Sequence, residues 1–253
     1  VASKIDILIL SLLGSEFLIG LYGVVIQLMQ PFMIISTSLT SAAFPAISKA
    51  VYLGKEMQRQ EAENLLKSLL CMALPFSLGL VFFGKELLLL IYNDPSFTQV
   101  TLVLSIMSLT VITSSFSRVF SYVLIANGFE KFNLLEVTIT TAVGPLLGVL
   151  LISQYKLMGA ALMCLAMSFT NVSILMYAVY SRIFQLRLWQ FMRRPLLISV
   201  LMSIVFLILK NINLNFLWTL SISILVYSAL VGLLVMREFG GFSSVWQKFL
   251  RKG

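Results

Sequence analysis

The stretch VITSSFSRVFSYVLIANGFEKFNLLEVTI, residues 111–139, carries two apolar runs joined by a tight turn at Asn127-Gly128. Asn-Gly after a long apolar run is a stop signal, and the apolar pattern resumes six residues later. Inside the first run lies Arg118, among Ser114, Ser115, Ser117 and Ser121; inside the second lies Glu136. Whether such runs face a protein core or lipid is decided by the rest of the chain. The 253 residues are 59% hydrophobic and 11% charged, with a mean hydropathy of +1.00, outside the soluble globular range. Apolar runs of about 18 or more residues recur throughout, which defines an all-α, polytopic transmembrane bundle.

Working outward, eight membrane helices are predicted: 1–13, 19–46, 65–83, 101–126, 134–152, 158–180, 195–209 and 216–236. The first, at about 1.5 Å per residue, reaches roughly 20 Å, short of the ~30 Å hydrocarbon core. It is expected to be truncated, with the chain cut from a longer protein. Residues 48–64, containing GKEMQRQEAEN, read as a charged connector, and 85–92 as an external interfacial turn of helix closed by Asp94-Pro95. In the tail, Phe242, Val245, Trp246 and Phe249 oppose Lys248, Arg251 and Lys252, as in a helix lying on a membrane surface. The chain has no His, and both cysteines, Cys71 and Cys164, fall in apolar runs. Neither a disulfide framework, a metal site nor a cofactor is expected. No secretory signal opens the chain.

Thirteen of the 18 Lys and Arg residues fall in loops on one side and three on the other. By the positive-inside rule the first side is cytoplasmic, which places both chain ends there. The net charge of +8 is thereby explained by topology and by anionic lipid, without a nucleic-acid partner.

Polar residues inside the spans are the candidates for function. In helix 2, Gln27, Gln30, Thr37, Ser38 and Ser41 share an arc of roughly 100° on a helix interrupted by Pro31. They read either as hydrogen-bond links between helices or as cavity lining. In helix 4, Ser114, Ser121 and Tyr122 lie on the same side as Arg118. An arginine near mid-membrane costs roughly 2.5–3.5 kcal/mol, so Arg118 must meet protein, water or an anion. Three readings stay open: an ion pair with Glu136 at matching depth, a basic point in an aqueous cavity, or snorkelling to the surface. Asp6, about 10 Å from the near end of helix 1, reads as a cation or proton site or as one half of a salt bridge, and Glu136 is a second ion-coupling candidate. Asn171 reads as a packing contact, and Tyr22, Trp189, Trp218 and Trp246 as interfacial belt residues.

Several segments resemble bacterial oligosaccharide flippases. KIDILILSLLGSEFLIGLYGVVIQL (4–28) is similar to their seventh-helix region, FPAISK (44–49) to the end of the eighth, FGKELLLLIYNDPSF (83–97) to the segment after the ninth, and LIANGFEKF (124–132) to the end of the tenth. The order and spacing resemble the polysaccharide-transporter branch of the multidrug/oligosaccharidyl-lipid/polysaccharide superfamily. That resemblance implies a second six-helix lobe over 1–183, two extra helices over 184–236 and a cytoplasmic tail over 237–253, with a first lobe missing. It further implies a non-enzymatic flippase in the bacterial cytoplasmic membrane. Such a protein moves polyprenyl-pyrophosphate-linked oligosaccharide for surface polysaccharide (O-antigen, capsule or lipopolysaccharide), with Arg118 meeting the pyrophosphate and Asp6 matching the family's membrane carboxylate.

The alternatives are an exporter of cationic drugs, a cell-wall precursor flippase, and a membrane polymerase or acyltransferase. A drug exporter should place carboxylates in its cavity. A polymerase or acyltransferase needs His, Asp and Arg gathered at the membrane surface, and this chain offers no His.

Overall fold

The computed structural model describes residues 5–13, 15–211 and, beyond them, the helical residues 218–219, 221–223, 225–227 and 229. The chain divides into two units, 1–195 and 196–253. The elements are α1 (Ile5–Leu13), α2 (Glu16–Leu53), α3 (Lys55–Tyr92), a 3-10 segment (Pro95–Val100), α4 (Thr101–Ala126), α5 (Glu130–Arg182) and α6 (Leu188–Asn211). Among the described residues five helices are long and apolar enough to cross a membrane. One of these, the 53-residue α5, is interrupted at Lys156, where φ is 49° and ψ −121°. Its arms, 130–155 and 157–182, are each about 39 Å long, enough for a crossing. They are the fifth and sixth helices expected from sequence. The eighth helix and the amphipathic tail fall outside the described residues, apart from the residues named above.

Three expectations are corrected. Residues 48–64 are not a connector. Helix α2 runs to Leu53, breaks only at Gly54 (φ 111°), and α3 resumes at Lys55. The charges that suggested a loop sit at helical spacing instead: Arg59 pairs with Glu56, and its Nε lies 3.7 Å from Glu63 Oε1. Beside them on the same helix, Gln58, Ala62, Leu65, Leu66 and Leu69 are buried. Glu63 also accepts the backbone N–H of Arg187 at 2.8 Å, which fastens the start of α3 to the segment before α6. Likewise 85–92 is no separate turn but the end of α3, closed by Asn93 in the left-handed region. Asp94 Oδ1 then accepts the Ser96 N–H at 2.8 Å to start the 3-10 segment at Pro95. Helix α6 also begins seven residues earlier than expected, ahead of Pro195.

The turn at Asn127-Gly128 forms as the sequence predicts. Phe129 N–H reaches Leu124 O at 2.9 Å and Gly128 N–H reaches Ile125 O at 3.0 Å, a Schellman closure with Gly128 at φ 73°. Helix α4 is the hub of unit 1, packing on α2, α3 and α5. It contributes Leu104 and Val111 to one buried cluster, with Tyr22, Val25, Phe32 and Ile152. It contributes Phe120 and Leu124 to a second, with Ile47, Leu66, Leu69 and Val179. Ser77 Oγ and Ser108 Oγ join α3 to α4 by a buried hydrogen bond of 3.1 Å. Outward-facing Leu134, Leu146, Leu150 and Phe169 on α5 are exposed, as a lipid-facing surface requires. In the second unit, Ile198, Met202, Phe206 and Leu209 form the buried face of α6, at spacings of three and four.

At the break in α5 the two arms touch backbone to backbone. A Cβ on Gly159 would collide with the carbonyl group of Leu151. Gly159→Val is therefore expected to destabilise the protein by about 1–3 kcal/mol through forced separation of the arms. The unfolding midpoint of the purified protein in detergent measures this, and an unchanged midpoint would contradict the close approach.

Candidate functional site

The serines and threonines of α4 do not form a polar shell around Arg118. Ser114 and Ser115 bond back to Val111 O at 2.9 Å, Thr110 to Met107 O and Ser117 to Thr113 O, all within the helix. Arg118 instead reaches α2. Its Nη1 donates to Thr37 Oγ1 at 2.6 Å and its Nη2 lies 3.3 Å from Met33 Sδ. Its Nε is buried with no hydrogen-bond partner. The ion pair with Glu136 does not form. Their depths match, but Arg118 points to α2 whereas Glu136 points to the second arm of α5.

There Glu136 Oε1 accepts from Asn171 Nδ2 at 2.6 Å and from Thr140 Oγ1 at 3.4 Å. Asp6 is similarly held: its Oδ2 accepts from Tyr22 Oη at 2.6 Å and from Cys164 Sγ at 3.4 Å. Tyr22 and Cys164 are themselves 3.1 Å apart, closing a three-membered network between α1, α2 and α5. Tyr22 is thus no belt residue. It is fully buried, because a carboxylate at membrane depth needs a donor from inside the bundle. A salt bridge from Asp6 to Lys4 lies outside the described residues.

Both carboxylates line one open-sided cavity of about 540 Å³ bordered by α1, α2, α4 and α5. Gln30, Thr110, Cys164, Ser168 and Asn171 share its wall, and so do five methionines, Met33 among them. Arg118 is not in the wall and stands behind Met33. The other sequence candidates lie elsewhere. Gln27 Oε1 accepts from Tyr92 Oη at 3.1 Å, beside the stacked pair Tyr92 and Phe97. Tyr122 Oη meets Ser41 Oγ at 3.3 Å and packs edge-on to Phe44. Ser121 contributes its carbonyl, 3.4 Å from Asn133 Nδ2. Sequence reasoning brought Asp6, Glu136 and Gln30 to notice and missed Tyr22, Thr140 and Cys164 as their neighbours. Only the i, i+4 spacing of Glu136 and Thr140 was a readable signal. Among the described residues no cluster of three or more His, Cys, Asp or Glu could hold a metal.

Removing the Tyr22 hydroxyl leaves the Asp6 carboxylate short of a donor. Tyr22→Phe is expected to lower stability by about 0.6–2 kcal/mol, the range for polar contacts between membrane helices. Asp6→Asn combined with Tyr22→Phe should cost less than the sum of the two single changes. A double-mutant cycle in detergent unfolding reads this, and strict additivity would refute the coupling.

With the fold and cavity described, comparison with known proteins becomes informative. A model of the family "Lipid II flippase MurJ" matches residues 2–228. A solved structure of lipid II flippase MurJ in an inward closed conformation superposes with a TM-score of 0.77 at 18% identity. It covers 94% of this chain, while this chain covers 51% of it, so the chain spans about half that structure's length. No curated protein matches. The matched family lies in the superfamily that the sequence motifs resemble, but the polysaccharide-transporter branch is not the branch found.

Proposed function

Since this chain belongs to the lipid II flippase MurJ family, a family of transporters, not of catalysts of a chemical reaction, we propose that it forms part of a flippase for a lipid-linked cell-wall precursor. The observation that carries this reading is the family match over residues 2–228, which takes in every membrane element described above. It favours a cell-wall precursor over the oligosaccharide of a surface polysaccharide, whose motifs the sequence shares only loosely. We assign residues 1–183 to a six-helix transport lobe, 184–236 to two additional helices and 237–253 to a tail at the membrane surface. The protein resides in the bacterial cytoplasmic membrane, with its basic loops and both ends of this chain on the cytoplasmic side.

In this mechanism the lipid tail stays in the bilayer while the anionic pyrophosphate crosses with its sugar head. Arg118 is the cation for that group. Its guanidinium is held by a hydroxyl and a thioether, neither of which neutralises it, and its Nε donor is uncommitted. Of the polar candidates only Gln30 lines the cavity and is available to the substrate head; Gln27, Ser114, Ser121 and Tyr122 are engaged within the bundle. Asp6 and Glu136 are the groups that couple transport to an ion, because each is a carboxylate at membrane depth held, among the described residues, by neutral donors.

Two strains separate the substrates, one depleted of its cell-wall precursor flippase and one lacking a surface-polysaccharide flippase. The full protein carrying this chain is expected to restore growth to the first and not surface polysaccharide to the second; the reverse result would reinstate the polysaccharide reading. In the rescued strain, Arg118→Ala should abolish growth at unchanged membrane level. Arg118→Lys should retain part of it, since charge survives and the planar two-pronged donor is lost. Full activity of Arg118→Ala would remove Arg118 from the pathway.

Orientation is checked separately. In a version lacking Cys71 and Cys164, a single cysteine at Arg59 or Arg187 should resist membrane-impermeant thiol reagents in intact cells, and one at Asp94 should react. Labelling at Arg59 before lysis would invert the topology.

A further inference from the structure

The wall of the cavity of about 540 Å³ narrows which cation its two carboxylates meet, an inference that rests on the flippase reading. Its polar wall has more acceptors than donors. Tyr22 and Cys164 both reach Asp6 Oδ2 and Asn171 Nδ2 reaches Glu136 Oε1, while the Thr140 hydroxyl lies nearer the Glu136 backbone carbonyl, at 2.9 Å, than Oε1, at 3.4 Å. Among the described residues no side chain donates to the other oxygen of either carboxylate. Asn171 Oδ1, which belongs to a wall residue, is buried and likewise without a donor. Both carboxylates are more than nine-tenths buried, at 9% and 8% relative exposure. Among the described residues no Lys or Arg lines the cavity. Buried acceptors of this kind call for a positive group carrying N–H donors.

The shape narrows the class further. The volume lies within the roughly 300–1,000 Å³ typical of sites for small organic molecules. Five of the wall residues are methionine, whose flexible thioethers fit irregular apolar bodies. A bare inorganic cation would satisfy the oxygens and leave that apolar wall without a partner.

We propose that this cavity binds an amphipathic organic cation, a primary ammonium or amidinium on an apolar body. The charged head sits on the Glu136–Asn171 pair, Asp6 supplies the second carboxylate, and the body lies against the methionines. The site shares Asp6, Glu136 and Gln30 with the flippase reading and deepens its ion-coupling part; Arg118 plays no part in it, so failure of ammonium binding and failure of the Arg118 test are read separately.

The test is direct binding to the protein in nanodiscs of zwitterionic lipid, read by fluorescence anisotropy. The probe is dansylcadaverine, a primary ammonium on a naphthalene body. Its N-acetyl derivative, of the same body but neutral, is the control and requires no mutation. The ammonium is expected to bind saturably, and the neutral analogue at least about tenfold more weakly. Glu136→Gln should weaken the ammonium by about tenfold and leave the neutral analogue unchanged, with Asp6→Asn/Glu136→Gln abolishing the difference between the two. Equal affinity for the two compounds, or no saturable binding up to about 1 mM, overturns the proposal. An effect of sodium in place of any effect of the ammonium also overturns it, because the site would then be one for a small inorganic ion.

Discussion

A charged side chain at membrane depth has to be compensated from inside the protein, and three such groups organise this bundle. Asp6 draws in the hydroxyl of Tyr22 and the thiol of Cys164, and so ties α1 to α2 and α5. Glu136 draws in Asn171 and holds the two arms of α5 against each other. Arg118 draws in Thr37 and ties α4 to α2. Lipid offers no hydrogen bonds, so each of these partners is specified by position as well as by type. Apolar packing around α4 supplies the bulk of the burial, but it is tolerant of register in a way that these links are not.

Keeping Arg118 and Glu136 on separate partners has a chemical consequence. A mutual ion pair would have neutralised both and left little for a ligand to meet. Held instead by neutral groups, the guanidinium and the carboxylates remain two sites of opposite sign on either side of Met33. Under the proposed function, an anionic pyrophosphate and a cation meet different residues of one lobe. The hydroxyls of α4 fit this division: bonded back to their own helix, they carry the polar side chains through the membrane at little cost and do not screen Arg118.

The family match also corrects how the sequence motifs are read. The Asn-Gly turn and the Asp94-Pro95 closure are devices for ending and restarting membrane helices, whereas FPAISK lies inside α2, with Pro45 in the helix. Members of one superfamily share such devices whatever lipid-linked molecule they move, because chain reversal at the membrane edge imposes the same backbone demands on all of them. Substrate class depends instead on the cavity groups, and the spacing of helix-end motifs carries no record of those.

The sequence by itself determined the membrane class, the positions of the spans and the turn at Asn127-Gly128. These follow from hydropathy over single segments and from the backbone freedom of one glycine. It also singled out Asp6, Arg118 and Glu136, since a charge within an apolar run is conspicuous without any structure. Tertiary structure alone decided where those charges point. Arg118 and Glu136 stand at equal depth on adjoining helices, yet rotation about each helix axis turns one to Thr37 and the other to Asn171. Tyr22 and Cys164, 142 residues apart, meet only because α1 and α2 pack near the start of the second arm of α5. The charged segment 54–64 was misread for a related reason. Its residues look like a loop in composition, and only their pairing across helical turns, with burial of residues beside them on the same helix, makes them part of α3.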